Sequence, residues 1–355
     1  MRGRLHTAGE IVDIDCRLDW VWSLLVEAAA GGMVAIPDGG PPPTMQLVIE
    51  AGRRPFGPRD AVVVTRGARL GADAVIFDDA CASGFSLRIQ PAADRLVVTA
   101  RYRPDTKARA AAAVLRSRFN LIARAVLVQY PALWWAGVRG RAPLHVSALT
   151  TAAGVALLAG PGGVGKSTLV AGEIARGSVA TCDNLAVSDG VDVFGVVEPL
   201  RSASRTAGRS GGAGKGRRVA YGRREAAWSA KRAISLRPER VAVVQLRDVP
   251  VAFCEPIHHD MACRSLVTGT LMAGELRRYW AFGATLAAGT GLGPAQPAVE
   301  DIARRLTASL PCHLLTLART ARTARTAREP RESAQPAPGS RLSELFAPEL
   351  DRSRW

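Results

Sequence analysis

Gly160-Pro161-Gly162-Gly163-Val164-Gly165-Lys166-Ser167 satisfies the phosphate-loop spacing G-x-x-x-x-G-K-[ST], and its flanks are the ones that spacing needs. An apolar run, Val155-Ala156-Leu157-Leu158-Ala159, precedes it, and a helix-like segment, Ser167 to Arg176, follows. The chain is therefore constrained to place a strand, a tight turn and a helix in succession. In that setting the glycines let successive backbone N–H groups converge on the α and β phosphates of a nucleotide. Lys166 reaches the β and γ phosphates, and the Ser167 hydroxyl ligates Mg²⁺. The dipole of the following helix adds to the attraction. The expected nucleotide contacts are Gly160, Gly162, Gly163, Val164, Gly165, Lys166, Ser167 and Thr168, and the expected cofactors are ATP and Mg²⁺. Lys107, Lys166, Lys215 and Lys231 are the only lysines in a chain that otherwise uses arginine, so a lysine at the phosphate position is not compositional drift.

The formal charge of +16 invites a nucleic-acid reading. Much of it thickens in two low-complexity stretches, Arg201 to Arg218 and Arg319 to Arg331, and neither contains an aromatic residue on which a base would stack. Specific nucleic-acid binding is therefore not expected, and the charge reads as solvated arginine. Six cysteines, Cys16, Cys81, Cys182, Cys254, Cys263 and Cys312, are scattered without metal or disulfide spacing. There is no signal-like start. The most apolar window, near Trp134-Trp135, reads as shorter than the roughly 20 residues of a membrane span. No membrane partner is expected, and a reducing cytoplasm is the expected location.

Along the chain, β-like runs at Met45 to Glu50, Ala61 to Thr65, Phe85 to Gln90 and Leu96 to Arg101 alternate with Gly/Pro/Asp-rich breaks, the pattern of a small α+β domain over 1–140. Asp105 to Gln129 reads as one helix, and Pro131 to Trp135 as an aromatic knob for a core. A second domain, 141–317, is expected to hold the phosphate loop in a mixed sheet. Leu144 to Thr150 and Val155 to Ala159 form a hairpin that runs into the loop. Val179 to Val187 is a strand, Ser188-Asp189-Gly190 a turn and Val193 to Val197 the returning strand. Residues 201–218 read as a flexible Arg/Gly/Ser insert. Val241 to Leu246 and Val251 to Cys254 read as strands, and Arg264 to Ala288 as a helix. The tail, 318–355, opens on an Ala-Arg-Thr repeat and reads as disordered.

Phosphoryl transfer also needs an acidic group to hold Mg²⁺ and a group to orient or deprotonate the nucleophile. Asp183, seventeen residues after Lys166 and inside the next strand, is the first candidate. From residue type alone, Asp183-Asn184 also suits a strand end, His145 a core position and Glu198 the surface. His258-His259-Asp260 suggests a metal, yet adjacent strand positions face opposite ways, so a loop is expected there. Arg223-Arg224-Glu225 and Arg277-Arg278-Tyr279 offer guanidinium groups for phosphate oxygens or simply solvated helix faces.

The order Leu144-His145-Val146-Ser147, the Gly160 to Ser167 loop, Arg176-Gly177 and Cys182-Asp183-Asn184 resembles the HPr kinase/phosphorylase family, a phosphate-loop fold related to phosphoenolpyruvate carboxykinase. The resemblance covers about residues 144–200. It implies an α/β fold with a P-loop nucleotide-binding domain and mixed sheet, preceded here by the smaller α+β domain. It implies a serine-type kinase that moves the ATP γ-phosphoryl group to a protein or peptide hydroxyl, and it leaves a ring-like homo-oligomer open. Carried over by residue, Lys166 and Ser167 hold phosphates and Mg²⁺, Asp183 is the base, and His145 packs against that aspartate and tunes it. Asn184 departs from the family, where a second aspartate stands. An amide ligates a cation through its carbonyl but brings no charge and takes no proton. The expected metal set is therefore Ser167, Asp183 and Asn184, with Glu198 compensating. A catalytically weak nucleotide-binding regulatory module and a small-molecule kinase are the alternatives.

Overall fold

The computed structural model describes residues 1–52, 54–57, 61–202, 217–218, 224–226, 228, 232–319 and 342–350. The chain is a mixed α/β protein that divides into two compact units, Met1–Ala142 with Glu275–Ala298, and Pro143–Gly274 with Val299–Trp355.

The first unit is built on an eight-stranded sheet. Arg2–Thr7 and Glu10–Cys16 form a hairpin whose turn residues, Ala8 and Gly9, both have positive φ, the left-handed pair that matches strand twist. Met45–Glu50 then joins parallel to Glu10–Cys16 and to Leu96–Tyr102, and the remaining strands run antiparallel to the short edge strand Val63–Thr65. Burial alternates along Glu10–Cys16 and Met45–Glu50, so Val12, Ile14, Met45, Leu47 and Ile49 share the inner face.

The expected single helix over Asp105 to Gln129 is instead segmented. Thr106–Val114 and Arg116–Arg124 are separated at Leu115, whose φ of −108° and ψ of 44° leave the helical region, and a π turn, Ala125–Gln129, leads into Tyr130–Val138. The aromatic knob is thus part of a helix, with Pro131 just after the π turn. The run Arg116–Val138 is 23 residues long and apolar enough to cross a membrane by length and composition, contrary to the short window expected. Its most apolar window is 78% buried, which makes it a core helix of this unit.

The helix expected over Arg264 to Ala288 divides between the units. His259–Leu271 belongs to the second, ending before Gly274, and Tyr279–Thr290 belongs to the first, where Tyr279, Phe282 and Leu286 are buried.

In the second unit a six-stranded sheet runs Ala180–Cys182, Ser147–Thr151, Gly154–Ala159, Arg240–Arg247, Cys312–Ala318, Phe253–Pro256. Its centre is parallel and its two edges antiparallel. The central strands are apolar without alternation, as strands covered on both faces should be. The expected strand over Val179 to Val187 breaks at Asp183-Asn184-Leu185. Ala180–Cys182 stays in the six-stranded sheet, while Ala186–Ser188 pairs with Val193–Gly195 in a second sheet. The strand expected over Val251 to Cys254 lies at Phe253–Pro256.

Of the insert expected to be flexible, Arg201-Ser202 and Arg217–Arg218 lie in short strands that pair with Arg224–Ala226, and 203–216 are outside the described residues. The tail was expected to be disordered. Instead, Leu342–Leu350 is helical, and Leu342 and Phe346 are buried among Leu169, Val170, Ile174 and Leu315. The physical reason is local amphipathicity, because Leu342, Leu345 and Phe346 recur at the three- and four-residue spacing of one helix face. The Glu173 carboxylate accepts the Leu342 N–H at 3.1 Å. The Ala-Arg-Thr repeat from residue 320 onward lies outside the described residues.

Candidate functional site

The loop between Gly154–Ala159 and the helix Lys166–Ile174 is shaped by its glycines. Gly160 has φ of +134°, and a Cβ there would lie 2.6 Å from the Val244 carbonyl oxygen on the neighbouring parallel strand, so no other residue fits. Gly163 and Gly165 also sit at positive φ, +90° and +103°. A Cβ on Gly162 or Gly163 would meet nothing within 4 Å, so open space lies beside the turn. Lys166 opens the helix, is 6% exposed and donates from Nζ to the carbonyls of Gly160 at 2.6 Å and Pro161 at 3.1 Å. Gly165 caps the helix, and no acidic residue occupies the first turn, so nothing there cancels the positive end of its dipole. Val164 packs on the core behind the loop, and Ser167 and Thr168 follow Lys166 in the first turn.

Asp183 and Asn184 follow the strand Ala180–Cys182, which is separated from the loop strand by Ser147–Thr151 alone. The chain leaves one sheet for another here, and the polar pair sits at that crossing. Ser147 Oγ donates to the Asp183 carbonyl, and the backbone N–H of Gly195 donates to Thr181 Oγ1 at 3.0 Å. Both tie the crossing down. Asp183 is 1% exposed, so its carboxylate is an interior group.

His145 is buried beside it. Its backbone N–H donates to Thr270 Oγ1 at 3.0 Å, and its ring Nε2 lies 3.0 Å from Asn184 Oδ1. The ring hydrogen bond thus goes to the residue after the expected aspartate. Asn184 Nδ2 is buried with no hydrogen-bond partner among the described residues. An orphaned buried amide N–H costs about 1–3 kcal/mol. Half a turn of the amide would let Nδ2 donate to His145 Nε2 and bring Oδ1, its one metal-ligating atom, to the open position.

Glu198 is 2% exposed, which removes the surface reading, and its carbonyl accepts Trp228 Nε1–H at 2.9 Å. Burial pushes the Cys182 thiol well above the ordinary thiol range, with the nearby Asp183 and Glu198 charges adding to the rise and Arg232 opposing it. Arg232 is itself pulled down by burial, against the attraction of Cys182 and Glu198. Asp183, Glu198 and Arg232 therefore share the surroundings of one thiol.

Residue types gave no hint of Thr270 or Arg232, which come from a helix and a loop far along the chain. Ser147 stood within the quoted motif but carried no assigned role. Arg277 and Arg278 lie in the first unit, ahead of Tyr279–Thr290, and Arg223 is outside the described residues. No protein-family model matches the chain, and no curated protein matches it.

Proposed function

We propose that the second unit is a phosphate-loop ATP-binding domain, similar to HPr kinase, which transfers the γ-phosphoryl group of ATP to a serine-type hydroxyl of a protein or peptide. The observation that carries the reading is the pairing of the Gly160–Ser167 loop with a buried carboxylate, Asp183, one intervening strand away. The open space beside Gly162 and Gly163 fits a phosphate cradle, since a side chain at either would intrude on it. Lys166, bonded to the loop carbonyls, is positioned to exchange them for phosphate oxygens.

Ser167, Asp183 and Glu198, with the Asn184 carbonyl once the amide is turned, are the residues that would hold Mg²⁺, an ion that takes oxygen ligands. When bound, the ion supplies neutralisation of charge on the β and γ oxygens. The chain's own residues do the rest. Asp183 takes the proton of the acceptor hydroxyl as its oxygen attacks the γ phosphorus. The bond from that phosphorus to the β–γ bridging oxygen breaks, and ADP leaves with the electron pair. Asn184 anchors the His145 ring, and Ser147 fixes the backbone from which Asp183 projects. A reaction that draws on ATP and a chain with six free thiols both suit a reducing cytoplasm.

One feature favours a second reading. Asn184 supplies no negative charge where an acidic pair would stand, which suits a nucleotide-dependent regulatory module. Incubating the full chain with γ-labelled ATP, Mg²⁺ and lysate of its host separates the two. Label on a protein species supports the kinase; tight ATP binding with no labelled species supports the module.

A further inference from the structure

The sequence places two histidines and an aspartate in succession at His258, His259 and Asp260, a run that extended backbone would splay apart. The backbone is not extended throughout. His258 is the N-cap of the helix His259–Leu271, with φ of −64° and ψ of 141°, so the chain turns between the first residue and the next two. That turn brings the imidazole centroids to 4.1 Å. Asp260 reaches both rings. Its Oδ2 lies 3.4 Å from His258 Nδ1 and its Oδ1 3.4 Å from His259 Nε2.

The spacing has a simple meaning. In a tetrahedral site with metal–ligand bonds of about 2.1 Å, neighbouring ligand atoms stand about 3.4 Å apart. Whichever Asp260 oxygen serves, one such edge is already present, and the three ligand atoms, one from each residue, all lie within 4.8 Å of one another. Two imidazoles with one carboxylate are a ligand set that Zn²⁺ and its neighbours accept, and three protein ligands leave a fourth position open to water or substrate. The dipole of the helix opposes a cation here, since its N-terminus is equivalent to about +0.5 of a charge. The full negative charge of Asp260 exceeds that opposition. All three side chains are exposed, at 66%, 49% and 59%, so an ion needs no channel to enter.

From this we infer that His258, His259 and Asp260 form a surface site for one borderline divalent transition ion of the Zn²⁺ type, with an open coordination position. The site does not depend on the nucleotide reading, because its ligands and its ion differ from those of the phosphate loop.

Co²⁺ is the probe that tests it. The full chain, stripped with chelator, is titrated with Co²⁺ and followed by visible absorption in the absence of nucleotide. One equivalent should produce ligand-field bands of nitrogen and oxygen coordination without a thiolate charge-transfer band. His259→Ala, Asp260→Asn and His258→Asn, the last retaining a capping side chain, should each weaken binding by at least about tenfold. Thermal melts of the metal-free variants establish that they are folded. A thiolate band would assign the ion to a cysteine such as Cys263, one helical turn further on, and would overturn the proposal. Absence of saturable binding, or bands that persist in the His258→Asn/His259→Ala double variant, would overturn it equally.

Discussion

The two units differ in how they bury some of their polar groups. In the first, the buried Arg4 and Glu10 meet opposite charges. Arg4 grips Asp13 with two bonds, at 2.6 and 2.9 Å, and donates to the Pro41 carbonyl at 2.9 Å. The fully buried Glu10 carboxylate takes Arg141 at 3.0 Å, Arg139 at 3.7 Å and the Thr44 hydroxyl at 2.5 Å. In the second unit the interior polar groups gather at a sheet crossing and beside an open glycine turn. There Lys166 donates to two carbonyls, and Asn184 keeps an amide nitrogen without a partner among the described residues. A network whose members bond one another has little left for a ligand. A cluster with unspent hydrogen-bonding capacity has something left for a ligand, and its cost to stability is the usual mark of a functional site.

The comparison is open to tests that differ in size. Lys166→Ala should have the largest effect, weakening ATP binding by about 10- to 100-fold through loss of charge-assisted bonds to phosphate, as read by equilibrium titration. Gly160→Ala forces a Cβ against the Val244 carbonyl at a φ that L residues avoid. It should cost the second unit about 1–3 kcal/mol in denaturant unfolding and reduce ATP affinity with it. Asn184→Asp sharpens the contrast by supplying the missing carboxylate beside His145. Mg²⁺-dependent ATP binding should strengthen by about 1 kcal/mol, since bonds to charged groups outweigh neutral ones by that order.

The smallest effect belongs to the first unit and is a slope. Burial raises the Glu10 carboxyl above 4.5, outweighing Thr44, Arg139 and Arg141, which favour the charged form. The folded chain therefore holds this proton to higher pH than the unfolded chain does. The associated stability is fully present below 4.5 and is lost as pH rises through the raised value. Glu10→Gln should remove that loss, so the difference in stability, wild type minus variant, declines as pH rises from about 4 toward neutrality. Urea unfolding at a series of pH values measures it, and ATP affinity should stay unchanged throughout.

Much of the loop region was legible because glycine spacing and apolar runs act locally. The hairpin Ser147–Thr151 with Gly154–Ala159, the turn and the helix after it all follow from residues within a short stretch. What stayed hidden was decided by partners far away. Val179 to Val187 reads as one strand, and only the second sheet shows why Asp183-Asn184 interrupts it. Phe346 lies beyond a low-complexity run, and its place beside Leu169 and Leu315 depends on a groove that no local pattern describes. Glu198 reads as a surface carboxylate at the end of a strand, but the fold buries it. At His259 a helix begins where a loop is expected, since a period-two argument does not apply where a residue caps a helix.

On the kinase reading, the buried carboxylate of the second unit serves chemistry rather than packing. Asp183→Asn tests it most directly, with thermal stability, ATP affinity and transfer of γ-label to host proteins measured on the same preparation. Melting temperature and ATP affinity should stay close to wild type, with transfer reduced about 10²- to 10⁴-fold. A variant that melts early and loses ATP affinity in step, or one that labels its acceptor at the wild-type rate, would contradict it.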